Sequence, residues 1–577
     1  MEAGKRSINE LFNGNRTLNV PFFQRSYVWK EEQWERFLSD MEMVSEQKQP
    51  YFLGSVILKQ QLTESNSKSG DTRILIDGQQ RLTTLNIFFK VLYLKLNQNN
   101  KFNRLFRIDN NDESLALQHN YNDINAFETV MKLEQETQLV SSGNNIYATY
   151  EYFRQKIDIE KLDDQSIKDC IMFVGIDLGS NDDEQQIFDT INSLGVRLTT
   201  AELLKNYFFN GNNRKNIEEE TRKFQIFWKD IFECEDSKDF WDKTLTVGRS
   251  YRTVIDLFFH SYLQIKIQEA ELQVSPKDKM IFSRTDNVFS SYKKLIEGYL
   301  INKDKILQEI KEYANLFIKN FDFDIVEKSL PKNNSIERIN LIIFGLEQST
   351  LIPYILYILK NVSDLNQRNE LFGIIENYIV RRIIVKATAK NYNRFFSEQL
   401  INNRINSKEK FINYLSKIDN INHMPNNTQL ETAFNNSVLT NLQARGVLYL
   451  LESSIREESR QTTQLLGLKK YSLEHLMPKK WKNFWGIPEN KDPSKRDQIL
   501  LTLGNLTIIT QPLNTSIRNA SWEIKKHGKD NNGLNKYAAS IETLQDFLSL
   551  ETWDETTIEN RAKYLYQKAI ETWNFHS

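Results

Sequence analysis

Residues 73–85, RILIDGQQRLTTL, change their hydrophobic period midway. Arg73–Asp77 is a short apolar run that stops at Gly78. From Arg81 onward, Leu82, Leu85, Phe88, Phe89, Leu92 and Leu96 recur at three- and four-residue steps, the period of a helix. The stretch therefore predicts strand, tight turn, helix. Upstream, Tyr51–Gln60 (YFLGSVILKQ) reads as a second strand, and Thr63–Gly70 has turn chemistry throughout. Val20–Trp29 (VPFFQRSYVW) reads as an extended aromatic segment. Together these predict a small α/β unit of about a hundred residues.

Outside this unit the chain is helix-prone. Its 577 residues suggest a few folded units at ~150 residues per domain. Gly (20) and Pro (10) are scarce, which excludes collagen-like and linker-rich chains. Aromatics at 12% exclude wholesale disorder. With 75 Lys+Arg against 76 Asp+Glu, a nucleic acid would have to be met by a local basic patch. Cys170 and Cys234 form no CxxC pair, which excludes a zinc ribbon or disulfide framework. The first residues carry no apolar signal core, and Leu341–Val362 is interrupted by Glu347, Gln348 and Pro353. No membrane association and a cytoplasmic location are expected.

The fold class expected is α+β and predominantly helical, with three domains at 1–210, 211–430 and 431–577. Residues 97–125 read as a linker or insertion. Asp182–Asn210 reads as two helices around a Gly turn, with Thr199 and Glu202 in capping-box spacing. Residues 215–420 read as a run of amphipathic helices. In them, Ile379–Arg394 is a basic helical run expected to pair with acids. After Tyr471 strand-like pieces return, and residues 479–536 hold 11 Lys+Arg against 5 Asp+Glu.

Two constellations carry chemistry. In the first, Asp77, Gly78, Gln79, Gln80 and Arg81 sit where a strand meets a helix N-terminus, whose free amides and dipole attract anions. Gly78 permits close approach, Arg81 offers a phosphate-matching fork, Thr83 adds a hydroxyl, and Arg25 could join from the aromatic segment. From the residues alone, this phosphate site and an ordinary surface turn are evenly matched. No GxxxxGK[ST] is present, so it is not a P-loop.

In the second, Glu474 and His475 lie in the strand-like YSLEHLMP, Asn505 in the turn of LGNLTIIT, and Asn514 near the start of SIRNASWEIKK, expected to be one helix. Strand with His, strand, helix is a ββα-metal layout. Phosphodiester hydrolysis needs an uncharged base near neutral pH, for which His475 is suited. It also needs a hard cation, Mg²⁺ or Mn²⁺, for which Glu474 and Asn514 offer oxygen. Asn505 would fix the base or brace the loop, and Arg518, Lys525 and Lys526 would meet flanking DNA phosphates. Each residue alone is better read as packing, turn former or helix cap. The case rests on their order.

VPFFQRSYVW, YFLGSVIL and LIDGQQRLTTL, followed by IFDTINSLGVRLTTAELLKNYFF, resemble the N-terminal domain of GmrSD-type, modification-dependent restriction endonucleases. That domain is similar to the ParB/sulfiredoxin fold. EHxxP and LGNLTxxT in sequence resemble the HNH-type C-terminal domain of the same family. The resemblance implies nucleotide binding and hydrolysis at Asp77–Arg81, with GTP, UTP, CTP and ATP not distinguished. It also implies metal-dependent cleavage or nicking of modified phage DNA by His475, with Glu474 and Asn514 on the metal and Asn505 bracing. Two copies are expected if both strands are cut. The thirty residues between His475 and Asn505 depart from the short HNH spacing, and the insert with Trp481, Phe484 and Trp485 reads as a DNA-contact loop or as packing. Two rivals share these residues: a nucleotide-dependent DNA-binding regulator without nuclease activity, and an RNase or toxin using the same site. Tyr27 and Trp29 read as core rather than as a cage for a base.

Overall fold

The computed structural model describes residues 2–12, 16–21, 24, 26–60, 71–108, 114–119, 123–140, 143–179, 199–209, 217–247, 250–418, 421–457, 464–483, 485–486 and 493–575. The chain divides into two compact units, Met1–Asp230 and Ile231–Ser577. It is α+β and predominantly helical. Among the described residues no helix is long and apolar enough to cross a membrane.

The first unit is built on a six-stranded mixed sheet. Its strands are β1 (Glu2–Ser7), β2 (Arg16–Asn19), β3 (Tyr51–Gln60), β4 (Asp71–Asp77), β5 (Leu117–Gln118) and β6 (Ile171–Leu178), in spatial order β1-β6-β3-β4-β2-β5. The β3–β4 and β1–β6 pairs are antiparallel, and β3–β6, β2–β4 and β2–β5 are parallel. Its helices include α1 (Ile8–Leu11), α2 (Glu31–Gln47), α3 (Gln79–Lys95), α4 (Asn99–Phe106), α5 (Ile124–Met131), α6 (Asn145–Lys156), α7 (Asp164–Cys170) and α8 (Thr200–Phe209). The expected β3, β4 and α3 are all present.

Helix α3 is buried at Gln79, Gln80 and from Leu82 to Leu94, with Arg81 half-buried, so it is the central helix of this unit rather than a one-faced surface helix. Phe88 and Phe89 meet Phe37, Phe153 and Phe106 edge-on or tilted, with ring centroids 5.5–5.7 Å apart. The linker reading of 97–125 is overturned for its described residues. Phe102, Leu105 and Phe106 of α4 are buried in the core, and β5 extends the sheet beside β2. The Asn/Asp-rich composition hid three apolar anchors. Thr199 and Glu202 form the predicted reciprocal cap of α8, with bonds of 2.8 and 3.2 Å. The first of the two helices read over Asp182–Asn210 lies outside the described residues.

The second unit is mainly helical, with two small antiparallel ladders. One is β7 (Thr244–Val247) with β8 (Ser250–Thr253), a hairpin inside the run read as helical. The other pairs β9 (Tyr471–His475) with β10 (Leu506–Thr510). Helix α9 (Leu365–Ile384) packs on α10 (Asn441–Ile455), and near the β9–β10 ladder lie α10, α11 (Gln511–Ile517), α12 (Trp522–His527) and α13 (Glu555–Thr572). The stretch expected as the nuclease domain and the expected connector from Ile231 onward lie in this unit, while residues 211–230 of that connector fall in the first.

Of the basic run Ile379–Arg394, Arg394 pairs with Glu398 at 3.4 Å, but its two arginines on α9 make no face of acid pairs. Arg381 and Arg382 are fully buried. They donate mainly to backbone carbonyls, Arg381 to Pro425 and Trp573, and Arg382 to Ile421, His423 and Thr388. SIRNASWEIKK is not one helix either. The chain breaks at Arg518 (φ 35°) between α11 and α12, where Ser521 takes an extended N-cap conformation.

Candidate functional site

In the first unit the turn between β4 and α3 is shaped by Gly78 at φ +103°. A Cβ there would lie 3.0 Å from Val56 Cγ2 and 3.2 Å from Ser55 O, so the position requires glycine on two counts. The first helical bond runs from Leu82 N to Gly78 O at 2.9 Å, which leaves the amides of residues 79–81 ahead of the ladder. Arg81 Nη2 donates to Ser55 O at 2.7 Å and to Asp77 Oδ2 at 3.1 Å, and Ser55 Oγ donates to the same carboxylate at 3.0 Å. The Arg81 side chain lies against Gly54, whose φ of +134° leaves no Cβ in its way. Arg81 Nε is buried without a hydrogen-bond partner among the described residues. A half-buried guanidinium with donor capacity left over thus stands at the N-terminus of the central helix, held by Asp77.

Not every residue of the motif faces this site. Gln80 is buried, and its Oε1 accepts from Val28 N at 2.8 Å while its Nε2 donates to Ser26 O at 3.3 Å. It pins the extended aromatic segment to the helix and has no free amide for a phosphate. Thr83 is fully buried and bonds His119 Nε2 at 2.7 Å, so it is withdrawn from the turn as well. Gln79 is also buried. Arg25 lies outside the described residues, while its neighbour Gln24 donates to Ile76 O at 3.2 Å, which brings that segment beside the end of β4. Tyr27 is core: its hydroxyl joins Thr84 Oγ1 at 2.6 Å and accepts from Trp34 Nε1 at 3.0 Å.

In the second unit, β9 carries Glu474 and His475, β10 follows the turn holding Asn505, and α11 carries Asn514. Asn505 is fully buried and uses both ends of its amide. Its Oδ1 accepts from Met477 N at 2.8 Å and Trp553 Nε1 at 3.0 Å, and its Nδ2 donates to Met477 O at 2.8 Å and Leu500 O at 2.9 Å. Arg561 of α13 holds the same turn, donating to Gly504 O at 2.9 Å and Leu506 O at 2.8 Å. Asn514 Nδ2 donates to Leu473 O at 3.4 Å, which sets its amide beside β9.

His475 is half-buried at the end of β9. Burial, with the positive charges of Lys479 and Lys525, pushes its imidazole down to about 4, so it is neutral at pH 7. Glu474 is different. Successive strand residues face opposite sides of a ladder, and Glu474 turns inward. Its carboxylate is taken by the buried ammonium of Lys525. Burial pushes the Glu474 carboxyl up and the Lys525 ammonium down, and their mutual attraction opposes both shifts.

Glu474, expected on a divalent cation, lies in an ion pair with Lys525, and Asn514, expected as the second ligand, has its amide nitrogen on Leu473 O. Lys525 and Lys526 are corrected too as phosphate contacts. Lys525 is fully buried, and Lys526 is buried with its Nζ on Leu550 O at 3.0 Å. The break at Arg518 separates α12 from α11, and Lys525 turns into the ladder. Arg518 is exposed. The exposed lysines 479, 480 and 482 directly follow the His475 strand. They open the insert that the sequence marks as Lys-rich and as a DNA-contact loop or packing. Trp481 of the insert is core, packed under Arg496 with Nε1 on Asp497 Oδ1 at 2.7 Å. Phe484 lies outside the described residues.

The first unit carries an arginine at a helix N-terminus, and the second carries a strand–strand–helix frame whose histidine is neutral and followed by lysines. Two family models match the chain: GmrSD restriction endonuclease, N-terminal domain, over residues 8–209, and GmrSD restriction endonucleases, C-terminal domain, over residues 424–568. No curated protein matches it. The protein is a nuclease of the restriction class, acting on DNA. It belongs to the GmrSD restriction endonuclease family.

Proposed function

We propose that the chain is a modification-dependent DNA endonuclease of anti-phage defence whose second unit cuts by HNH-type chemistry under the control of a nucleoside triphosphate bound in the first. One observation carries the catalytic half: His475, in a strand–strand–helix frame, is held neutral beside exposed Lys479 and Lys480. A neutral imidazole can take the proton of an attacking water at pH 7. Water oxygen bonds to phosphorus, the water proton passes to His475, and the bond to the 3′-oxygen breaks as that oxygen takes a proton from solvent water to leave as a hydroxyl. A bound phosphate raises the proton affinity of that imidazole through its negative charge, so base strength grows when substrate arrives. Lys479, Lys480 and Arg518 offset the backbone charge. Asn505 fixes the turn that sets the strand register. No step is assigned to Glu474.

The nucleotide half is supported by Arg81 and the α3 N-terminus beside Gly78. There Asp77 holds the guanidinium, and phosphate oxygens would meet Arg81 and the first-turn amides. The test is a cleavage panel of modified and unmodified plasmids, with and without each NTP, and with Mg²⁺, Mn²⁺ or EDTA. His475→Ala should abolish cleavage and leave NTP turnover intact. Loss of both activities, or retention of cleavage, would relocate the chemistry. Structured RNA belongs in the same panel, because its preferential cleavage would make the enzyme an RNase.

A further inference from the structure

We infer that Lys525 is a positioning residue for His475, and that Glu474 acts as its buried counter-ion rather than as a metal ligand. The inference rests on the reading of His475 as the general base.

The backbone pattern of the ladder places the contact. Leu476 N donates to Asn505 O at 2.9 Å. In an antiparallel pair, bonded and non-bonded positions alternate, so Glu474 and Thr507 exchange ladder bonds, as do Ser472 and Ile509. The carbonyls of Leu473 and His475 then point away from β10, along the open edge of β9. Each is capped by a side chain from a following helix. Asn514 Nδ2 on α11 takes Leu473 O, and Lys525 Nζ on α12 takes His475 O at 2.7 Å. The residue bearing the base is thus tied to α12 through its own carbonyl by an ammonium that is entirely buried.

Such an ammonium needs a permanent partner. A buried charge without one costs several kcal/mol, and Glu474, turned inward on the same strand, is the carboxylate in contact with it. The same carboxylate cannot also serve a dication at low cost. A metal on it would sit roughly 5 Å from the Lys525 ammonium with protein between them, and the two positive charges would repel. The pair therefore works as a clamp: Glu474 holds Lys525 in place, and Lys525 fixes the backbone from which the imidazole projects.

The test uses the full chain, supercoiled plasmid and a fold check by thermal melting. His475→Ala is the control for the underlying reading, and if it still cleaves, that reading fails whatever Lys525 does. With His475→Ala inactive, Lys525→Met is expected to lower the maximal cleavage rate about 100-fold, as a misplacement near 1 Å does. The half-saturating DNA concentration should change less than about threefold, because a residue that acts through His475 alters turnover rather than binding. Lys525→Arg should recover part of the rate. Glu474→Gln should match Lys525→Met, and the Glu474→Met/Lys525→Met double variant should be no slower than either, because both singles break one clamp. The double leaves no orphan charge, so it carries the comparison if a single variant does not fold. Mn²⁺ binding to the DNA-free protein, read by electron paramagnetic resonance, should be the same in wild type and Glu474→Gln. Weaker Mn²⁺ binding in Glu474→Gln, or wild-type cleavage by Lys525→Met, would overturn the inference.

Discussion

Gln80 and Arg81 are neighbours in one motif and do opposite work. Gln80 is spent on Val28, Trp29 and Ser26, while Arg81 keeps donor capacity at the turn. Their residue types alone could not separate them, because a sequence shows which groups can bond and not which bonds are already made. Gln80→Ala should therefore act as a fold mutation. It strands the amide of Val28 and should cost about 1–3 kcal/mol in urea unfolding, with faster proteolysis of residues 26–30. Arg81→Ala should leave unfolding nearly unchanged and suppress NTP turnover at least tenfold. Gly78→Ala meets Val56 and Ser55 at a positive φ and should cost about 1–3 kcal/mol. Glu474 and Lys525 carry the same lesson. Both were legible as charged residues near His475 in the chain or motif, and their commitment to each other appears only when β9 and α12 are side by side.

Elements were legible where periodicity was strong and illegible where pairing partners decided them. β3, β4 and α3 follow from alternation and three-to-four spacing. β1, with the polar sequence EAGKRS, is a strand because its backbone pairs with β6, and no side-chain pattern announces that. β5 is two residues long, and the apolar anchors of α4 hide among asparagines. The turn before β10 shows how an element depends on one amide. Asn505→Ala would leave Met477 N, Met477 O, Leu500 O and Trp553 Nε1 unpaired inside the protein. It should cost about 3 kcal/mol or more of stability and abolish cleavage through misfolding of the ladder. Near-ultraviolet circular dichroism should register the loss of the Trp553 environment in the same variant.

At the scale of the whole molecule, acid matters more than net charge. His475 and His260 are both held near 4, against 6.5 for a free imidazole. Between those values the unfolded chain binds more protons than the folded one, so stability rises with pH across that window. It is fully present above about 6.5 and is lost as pH falls toward 4. Melting temperatures measured from pH 7.5 to 4.5 should fall below pH 6.5, and His475→Gln should flatten part of that fall. The two units also predict separable melting. A nucleotide that binds only the first unit at a hundredfold excess over its Kd adds about 2.7 kcal/mol to that unit alone. Calorimetry should show one transition moving and one standing still.

The turn that holds Asn505 is gripped by Arg561, which belongs to a helix made only when residues 555–572 emerge. All the residues proposed for cleavage are synthesised earlier. A chain stalled on the ribosome before that helix would carry a complete motif on an ungripped turn. A chain cut short before residue 555 is therefore expected to lack cleavage activity, which a plasmid assay on that truncation checks.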